Sequence, residues 1–209
     1  MPFLEIVTRT CGTRPGMLER NQDSLKRLAD PDWTQTLVVD DQQRGVAWAV
    51  GNLRNVEATG EWVWVLDDDD VCVDVGLIGE LRAAVALCAN PPDVVMVKAL
   101  HSKYGMLPSS GNWMRAPVCG NIGTSCYIVR RDVWNATHDA WVEKYAGDFE
   151  YIRHLWETPG LVFRWLDTVA AWYPQQSLGA GEAEAVEGRP RMMHEYTNSK
   201  VGSGGRDAR

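Results

Sequence analysis

The sequence predicts an α/β domain: a mostly parallel β-sheet flanked by helices. Three observations predict it. Apolar runs of strand length alternate four times with helix-period segments between residues 3 and 100. Those runs carry too few polar positions to face water on either side, as expected of a parallel sheet covered by helices. Three of the first four runs end in polar or acidic residues, at the carboxyl ends of strands where open parallel sheets bind ligands.

"FLEIVT" (3–8) reads as a buried strand, and "GTRPGMLERNQDSLKRL" leaves a turn to become a helix on Met17, Leu18, Leu25 and Leu28. A second strand, "TQTLVVDD" (34–41), ends in acids, and "GVAWAVGNLRNVEAT" reads as a second helix closed by Gly60. "WVWVL" (62–66) is the third strand, again ending in acids. The helix at 75–90 stops at Pro91-Pro92, and "DVVMVKAL" (93–100) is the fourth strand. Residues 101–124, rich in Gly, Pro, Ser and Asn, read as a long functional loop. Next come a strand running into a turn (124–134), a helix (147–158) and a strand (161–174). The expected organisation is one domain over 1–178, with a nucleotide-binding half (1–100) and an acceptor or catalytic half (101–178). A C-terminal extension (179–198) would close the site, and 199–209 would form a flexible tail.

Composition narrows the function. The 209 residues carry a formal net charge of −7 and a pI near 5.1, which argues against non-specific grip on nucleic acid. Five cysteines (Cys11, Cys72, Cys88, Cys119, Cys126) form no CxxC pair and read as reduced thiols. The first residues show no signal-peptide pattern, and no apolar run approaches the ~20 residues that span a bilayer. A cytoplasmic protein without a membrane span is expected, with its oligomeric state open.

The densest chemistry lies in "EWVWVLDDDDVCVD" (61–74), where four aspartates follow a buried strand. Adjacent carboxylates repel unless a cation sits among them, and a hard divalent ion with oxygen ligands, Mg²⁺ or Mn²⁺, suits them. A solvated acidic turn is the plain alternative. Val71 and Val73 exclude an EF-hand, because they stand at ligand positions. "DDDDV" also fits the nucleophile motif of haloacid-dehalogenase phosphatases, with Asp67 as nucleophile. Those enzymes carry the motif on an early strand, whereas two strand–helix units precede it here.

More of the chain resembles the family 2 glycosyltransferases of the GT-A fold. The resemblance rests on "IVTRTCGTRPGMLERNQDSL", "LVVDD", "EATGEWVWVLDDDD", "GNIGTSCYIVRRDVW" and "GDFEYI", in that order over roughly residues 4 to 158. It implies a GT-A-type Rossmann-like sheet and a metal-dependent inverting transfer from a nucleotide-diphosphate sugar, a UDP-sugar by the commonest usage. The implied donor-binding residues are Thr8, Arg9, Thr10, Arg14, Asp40, Asp41, Asp67 and Asp68, with Asp67 toward ribose or sugar and Asp68 facing solvent or capping its turn. Asp69, Asp70 and His194 are the implied ligands of Mn²⁺ or Mg²⁺. Asp148 matches the general base, with Glu150 as substitute, and a helix N-terminus should depress its pKa. Arg189 and Arg191 would contact the diphosphate, and Trp113 would shape the acceptor site.

The chain departs from the pattern at Thr13-Arg14 and Gln42-Gln43. The acceptor stays open: a glycan, a protein, a small molecule or a modified nucleobase of DNA. A non-catalytic nucleotide-sugar-binding domain is the reading from a different class.

Overall fold

The first strand, β1 (Leu4–Thr10), is buried at six of its seven positions and forms the spine of the sheet. The structure, a computed structural model, describes residues 1–174. β2 (Trp33–Val39) and β3 (Trp62–Val65) flank β1, both parallel to it. Next to β3 comes β7 (Tyr127–Arg130), antiparallel, and then β5 (Val94–His101), antiparallel to β7. Two reversals restore the direction, so β5 runs the same way as β1 to β3. β8 (Phe163–Tyr173) lies parallel to β5, with β4 (Val71–Cys72) antiparallel on its far side. A short β6 (Gly105–Leu107) folds back onto β5. The order is β2-β1-β3-β7-β5-β8-β4. Five of the eight strands among the described residues share one direction, which gives the mostly parallel, helix-flanked α/β sheet expected.

α1 (Pro15–Leu25) packs on β4, and α3 (Leu77–Ala86) on β8. α2 (Val46–Gly51) meets α5 (Gly147–Glu157), while α4 (Arg131–Thr137) follows β7 directly. The core is continuous and rich in indole: Trp62, Trp64, Trp134 and Trp141 are all 1% exposed or less. Burying such rings is worth several kcal/mol each, so they dominate the packing. Tyr151 of α5 stacks on Trp141 with ring centres 4.1 Å apart. That contact ties the helix carrying the candidate base to the core.

The structure corrects several sequence expectations. The helix expected after Gly45 lasts only to Gly51 and ends in a 3₁₀ turn, Asn52–Asn55. Gly51, Asn52 and Asn55 are weak helix formers, and Val56 is already extended. β2 is not covered on both faces. It is the edge strand, and Leu37 and Val39 are 41% and 46% exposed. The 101–124 loop contains β6, turned by Gly105 at φ +76°. β7 runs into helix α4 rather than into a turn. Among the described residues, no helix is long and apolar enough to cross a membrane.

Candidate active site

β1 and β3 carry Thr8–Thr10 and Asp67–Asp70 at their carboxyl ends, and β2 leads into Asp40. Pairing between β3 and β1 persists past the strand, because the Leu66 amide donates to Val7 and the Asp68 amide to Arg9. Since β7 is antiparallel, its first residue, Tyr127, lies at this same rim. The Tyr127 hydroxyl donates to the backbone carbonyl of Asp148 (3.1 Å), fixing the start of α5 there. Gly147 lets the start of α5 lie against the Val142 carbonyl and the Val50 side chain. A Cβ on it would stand 2.5 Å from the Val142 carbonyl oxygen and from Val50 Cγ1, closer than real contacts allow. Segments 81 residues apart, Asp67 and Asp148, thus converge.

The acidic run is answered first by the protein's own cations. Arg9 grips Asp67 bidentately, Nε to Oδ1 at 2.6 Å and Nη2 to Oδ2 at 2.5 Å. Arg14 Nη2 bonds Asp68 Oδ1 at 2.6 Å, and its Nη1 stands 3.4 Å from Asp69 Oδ2. Arg20 Nη2 donates to the Asp69 backbone oxygen at 3.0 Å. Burial alone would lower the pKa of Arg9, but Asp67 and then Asp148 outweigh it and hold the guanidinium charged. Asp68 is not solvent-facing as expected. Its side chain is fully buried, and burial pushes its pKa up to about 6 despite Arg14. Burial, then the neighbouring carboxylates Asp69 and Asp67, raises Asp70 well above the usual range, and burial and Asp67 raise Asp69.

Asp148 is corrected as well. Its Oδ1 accepts the Phe149 amide at 2.8 Å, but burial dominates and lifts its pKa to about 6. The Phe149 amide and Arg9 pull the other way, and Asp67 adds to the rise.

The remaining expected donor residues are partly committed to the scaffold. Thr8 is buried and accepts from Gln35 Nε2 at 2.9 Å, while Thr10 Oγ1 accepts the Gly12 amide at 3.2 Å. Asp40 is buried, holding Arg44 Nε at 3.0 Å and the Gly45 amide at 2.9 Å. Asp41 is exposed and meets Arg44 Nη2 at 3.3 Å. Glu150 pairs with Arg153. Trp113 stacks edge-on against Trp165, with Lys98 over its ring. His194, Arg189 and Arg191 lie outside the described residues.

Four features escaped the sequence. Arg20 and Asn21 hold the backbone of the acidic turn. Arg44 lies over the Trp48 ring at 3.4 Å, beside Asp40. Tyr127 anchors Asp148. Only Asn21 left a signal, as a polar residue on the apolar stripe of α1.

Among the described residues no group of three His, Cys, Asp or Glu side chains could hold a metal by itself. The donor set nevertheless fits a cation that arrives with a phosphate ligand, since Mg²⁺-type ions commonly use one or two carboxylates plus substrate oxygens. Asp69 is partly exposed, and Asp68 Oδ2 is buried with no hydrogen-bond partner.

No family model and no curated protein matches this sequence. Solved structures do match its fold. S. aureus TarS 1-349 aligns at 18% identity and a TM-score of 0.61, covering 82% of this chain and 60% of that one. The same fragment in complex with UDP-GlcNAc aligns at 15% and 0.60, covering 82% and 58%. The mannosyltransferase PcManGT from Pyrobaculum calidifontis, in complex with GDP-Man and Mn²⁺, aligns at 16% and 0.58, covering 99% and 66%. This chain thus spans about three fifths of the length of the TarS fragments it matches. At such identities the likeness establishes a shared fold.

Proposed function

We propose that the protein is a nucleotide-sugar glycosyltransferase that inverts the anomeric centre, with Asp148 as general base. The observation that carries the reading is the convergence of the Asp67–Asp70 turn and the start of α5 on one rim, anchored by the bond from Tyr127 to Asp148. Fold neighbours solved with UDP-GlcNAc and with GDP-Man and Mn²⁺ support the substrate class. Asp69, with Asp70 as second ligand, would hold Mn²⁺ or Mg²⁺. That ion supplies Lewis-acid stabilisation to the departing diphosphate. Arg14 would face the donor phosphates, and Asp67, fixed by Arg9, the ribose or sugar hydroxyls. His194 would be a third metal ligand.

In the transfer, Asp148 takes the proton of the acceptor hydroxyl as that oxygen bonds to the anomeric carbon. The bond from that carbon to the phosphate oxygen breaks, and the nucleoside diphosphate leaves with its electron pair. No covalent enzyme intermediate forms, and the attack from the opposite face inverts the centre. The phosphatase alternative is disfavoured, because both Asp67 oxygens are engaged by Arg9 rather than free for attack.

A thermal-shift panel of UDP, GDP, ADP and CDP, each with Mn²⁺ or with EDTA, tests the reading. At least one diphosphate should raise the melting temperature by several degrees only when Mn²⁺ is present. Asp69→Asn should abolish that shift. No shift with any nucleotide in the wild type would sink the proposal.

A further inference from the structure

The turn that carries the acidic side chains is held by more than its own hydrogen bond. Asp67 to Asp70 form a four-residue β-turn closed by the Asp70 amide on the Asp67 carbonyl at 3.0 Å. Its two central residues are Asp68 and Asp69, and four successive carboxylates would splay such a turn. Further restraint comes from α1. Asn21 is fully buried, and its single amide nitrogen donates to both ends of the turn, the Asp67 oxygen at 2.9 Å and the Asp70 oxygen at 3.1 Å. Both donors of that nitrogen are thereby used. Its own oxygen accepts from Gln35 Nε2 at 2.9 Å, and the same nitrogen of Gln35 reaches Thr8 Oγ1. Gln35 thus fixes which end of the Asn21 amide faces the turn. Reversed, the Asn21 oxygen would oppose two carbonyl oxygens. One residue earlier on α1, Arg20 holds the Asp69 carbonyl. One turn later, Ser24 Oγ accepts the Cys72 amide at 3.0 Å while donating to the Asn21 carbonyl.

We propose that Asn21 is a positioning residue for the cation-binding turn. By stitching the carbonyls of Asp67 and Asp70 together, it fixes the backbone from which Asp69 projects and so sets the affinity for the divalent ion of the donor complex. Asn21 itself touches neither ion nor sugar. The inference rests on the glycosyltransferase reading. Partners that orient metal ligands typically account for 10- to 100-fold in metal affinity. An apolar residue at position 21 would satisfy the helix stripe equally well, so the amide serves the turn rather than the packing.

The test is a Mn²⁺ titration followed by electron paramagnetic resonance, at a temperature where every variant is folded, with UDP, GDP, ADP or CDP saturating. Asn21→Ala should weaken Mn²⁺ binding by about 10- to 100-fold. Any nucleotide binding that remains in EDTA should be unchanged. Raising Mn²⁺ in proportion should restore the nucleotide-induced thermal shift. A residue that only packs the core would lower the melting temperature and leave the Mn²⁺ affinity of the folded protein untouched. That result, or an equal loss of binding in EDTA, overturns the inference while the functional reading stands. If Asn21→Ala does not fold, Gln35→Leu releases the amide orientation from the sheet edge. It should weaken Mn²⁺ binding several-fold, and unchanged binding in that folded variant overturns the inference too. A wild type that binds no Mn²⁺ with any of the four diphosphates overturns the inference together with the reading it rests on.

Discussion

At Asp148 two effects oppose each other. The first turn of α5 presents backbone amides that favour a carboxylate, and Phe149 donates one of them. Burial at the rim disfavours the charge, and it prevails, setting the pKa near 6. A base with that pKa is ionised at neutral pH yet retains more affinity for a proton than an ordinary carboxylate. The rate of transfer should therefore fall as pH drops through about 6, by roughly tenfold for each further pH unit, in a profile of kcat/KM from pH 5 to 8. Asp148→Asn should cost at least about 100-fold in rate. The same shift affects stability with a definite sign. A carboxyl whose folded pKa is raised stabilises the fold while protonated, and that contribution is lost as pH rises through about 6. Asp148→Asn should thus raise stability at pH 7.5 by about 1–2 kcal/mol, an effect that vanishes toward pH 4 in urea melts. The location of Asp148 was legible in "GDFEYI", a glycine and an acid opening a helix. Its pKa was not, because burial of that side chain depends on how α5 is set against the sheet rim, where residues distant in sequence such as Arg9 and Asp67 also act on it.

At the scale of elements, long apolar runs announced themselves, and pairing geometry did not. β1, β3, β5 and β8 each lie where the sequence places a strand, and β3 is the one wholly apolar run among them. β4 has two residues and β6 three, too short for any periodicity to register, and each exists only because a longer neighbour offers it an edge. β7 could be read as a strand, but nothing in "CYIVR" says that it inserts antiparallel between β3 and β5. How elements are tied together was equally hidden. Glu5 points inward from β1, 2% exposed, in a strand that otherwise reads as apolar. Its carboxylate accepts Thr36 Oγ1 of β2 at 2.6 Å and the amides of Thr59 and Gly60 before β3 at 2.6 and 2.9 Å. Gly60 passes so close that a Cβ would lie 2.7 Å from the Cβ of Glu5. Burial opposes the charge on Glu5, but these donors outweigh it and hold its pKa below the usual 4.5. Stability from Glu5 is therefore present above that ordinary value and lost as pH falls through the lower folded one. Glu5→Gln replaces an acceptor carboxylate with a group that has one acceptor oxygen and two donors. Leaving buried amides unmatched should cost about 2 kcal/mol, read as a lower urea midpoint at pH 7 with an unchanged slope.

At the scale of the whole molecule, the described residues contain an eight-stranded sheet, a continuous core and the candidate residues Thr8 to Asp148. One compact unit runs from Met1 to Gln176, and β8, the last strand among the described residues, ends at Tyr173. Most of the chemistry expected from the sequence lies before that boundary; His194, Arg189 and Arg191 lie after it. A fragment of residues 1–176 should therefore fold cooperatively, with far-UV circular dichroism of a mixed α/β protein and a melting temperature within a few degrees of the full chain. Metal binding then tests whether His194 takes part in the proposed cation site. If His194 completes the coordination begun by Asp69, the fragment should bind Mn²⁺ with nucleoside diphosphate at least about tenfold more weakly than the full chain, a loss no smaller than that from removing a group that only orients a ligand. The full-length His194→Ala variant should show the same deficit. Equal Mn²⁺ affinity in all three proteins would instead place the entire cation site on the turn that α1 holds. In that case Asp69, Asp70 and the diphosphate oxygens supply all the ligands that are not water.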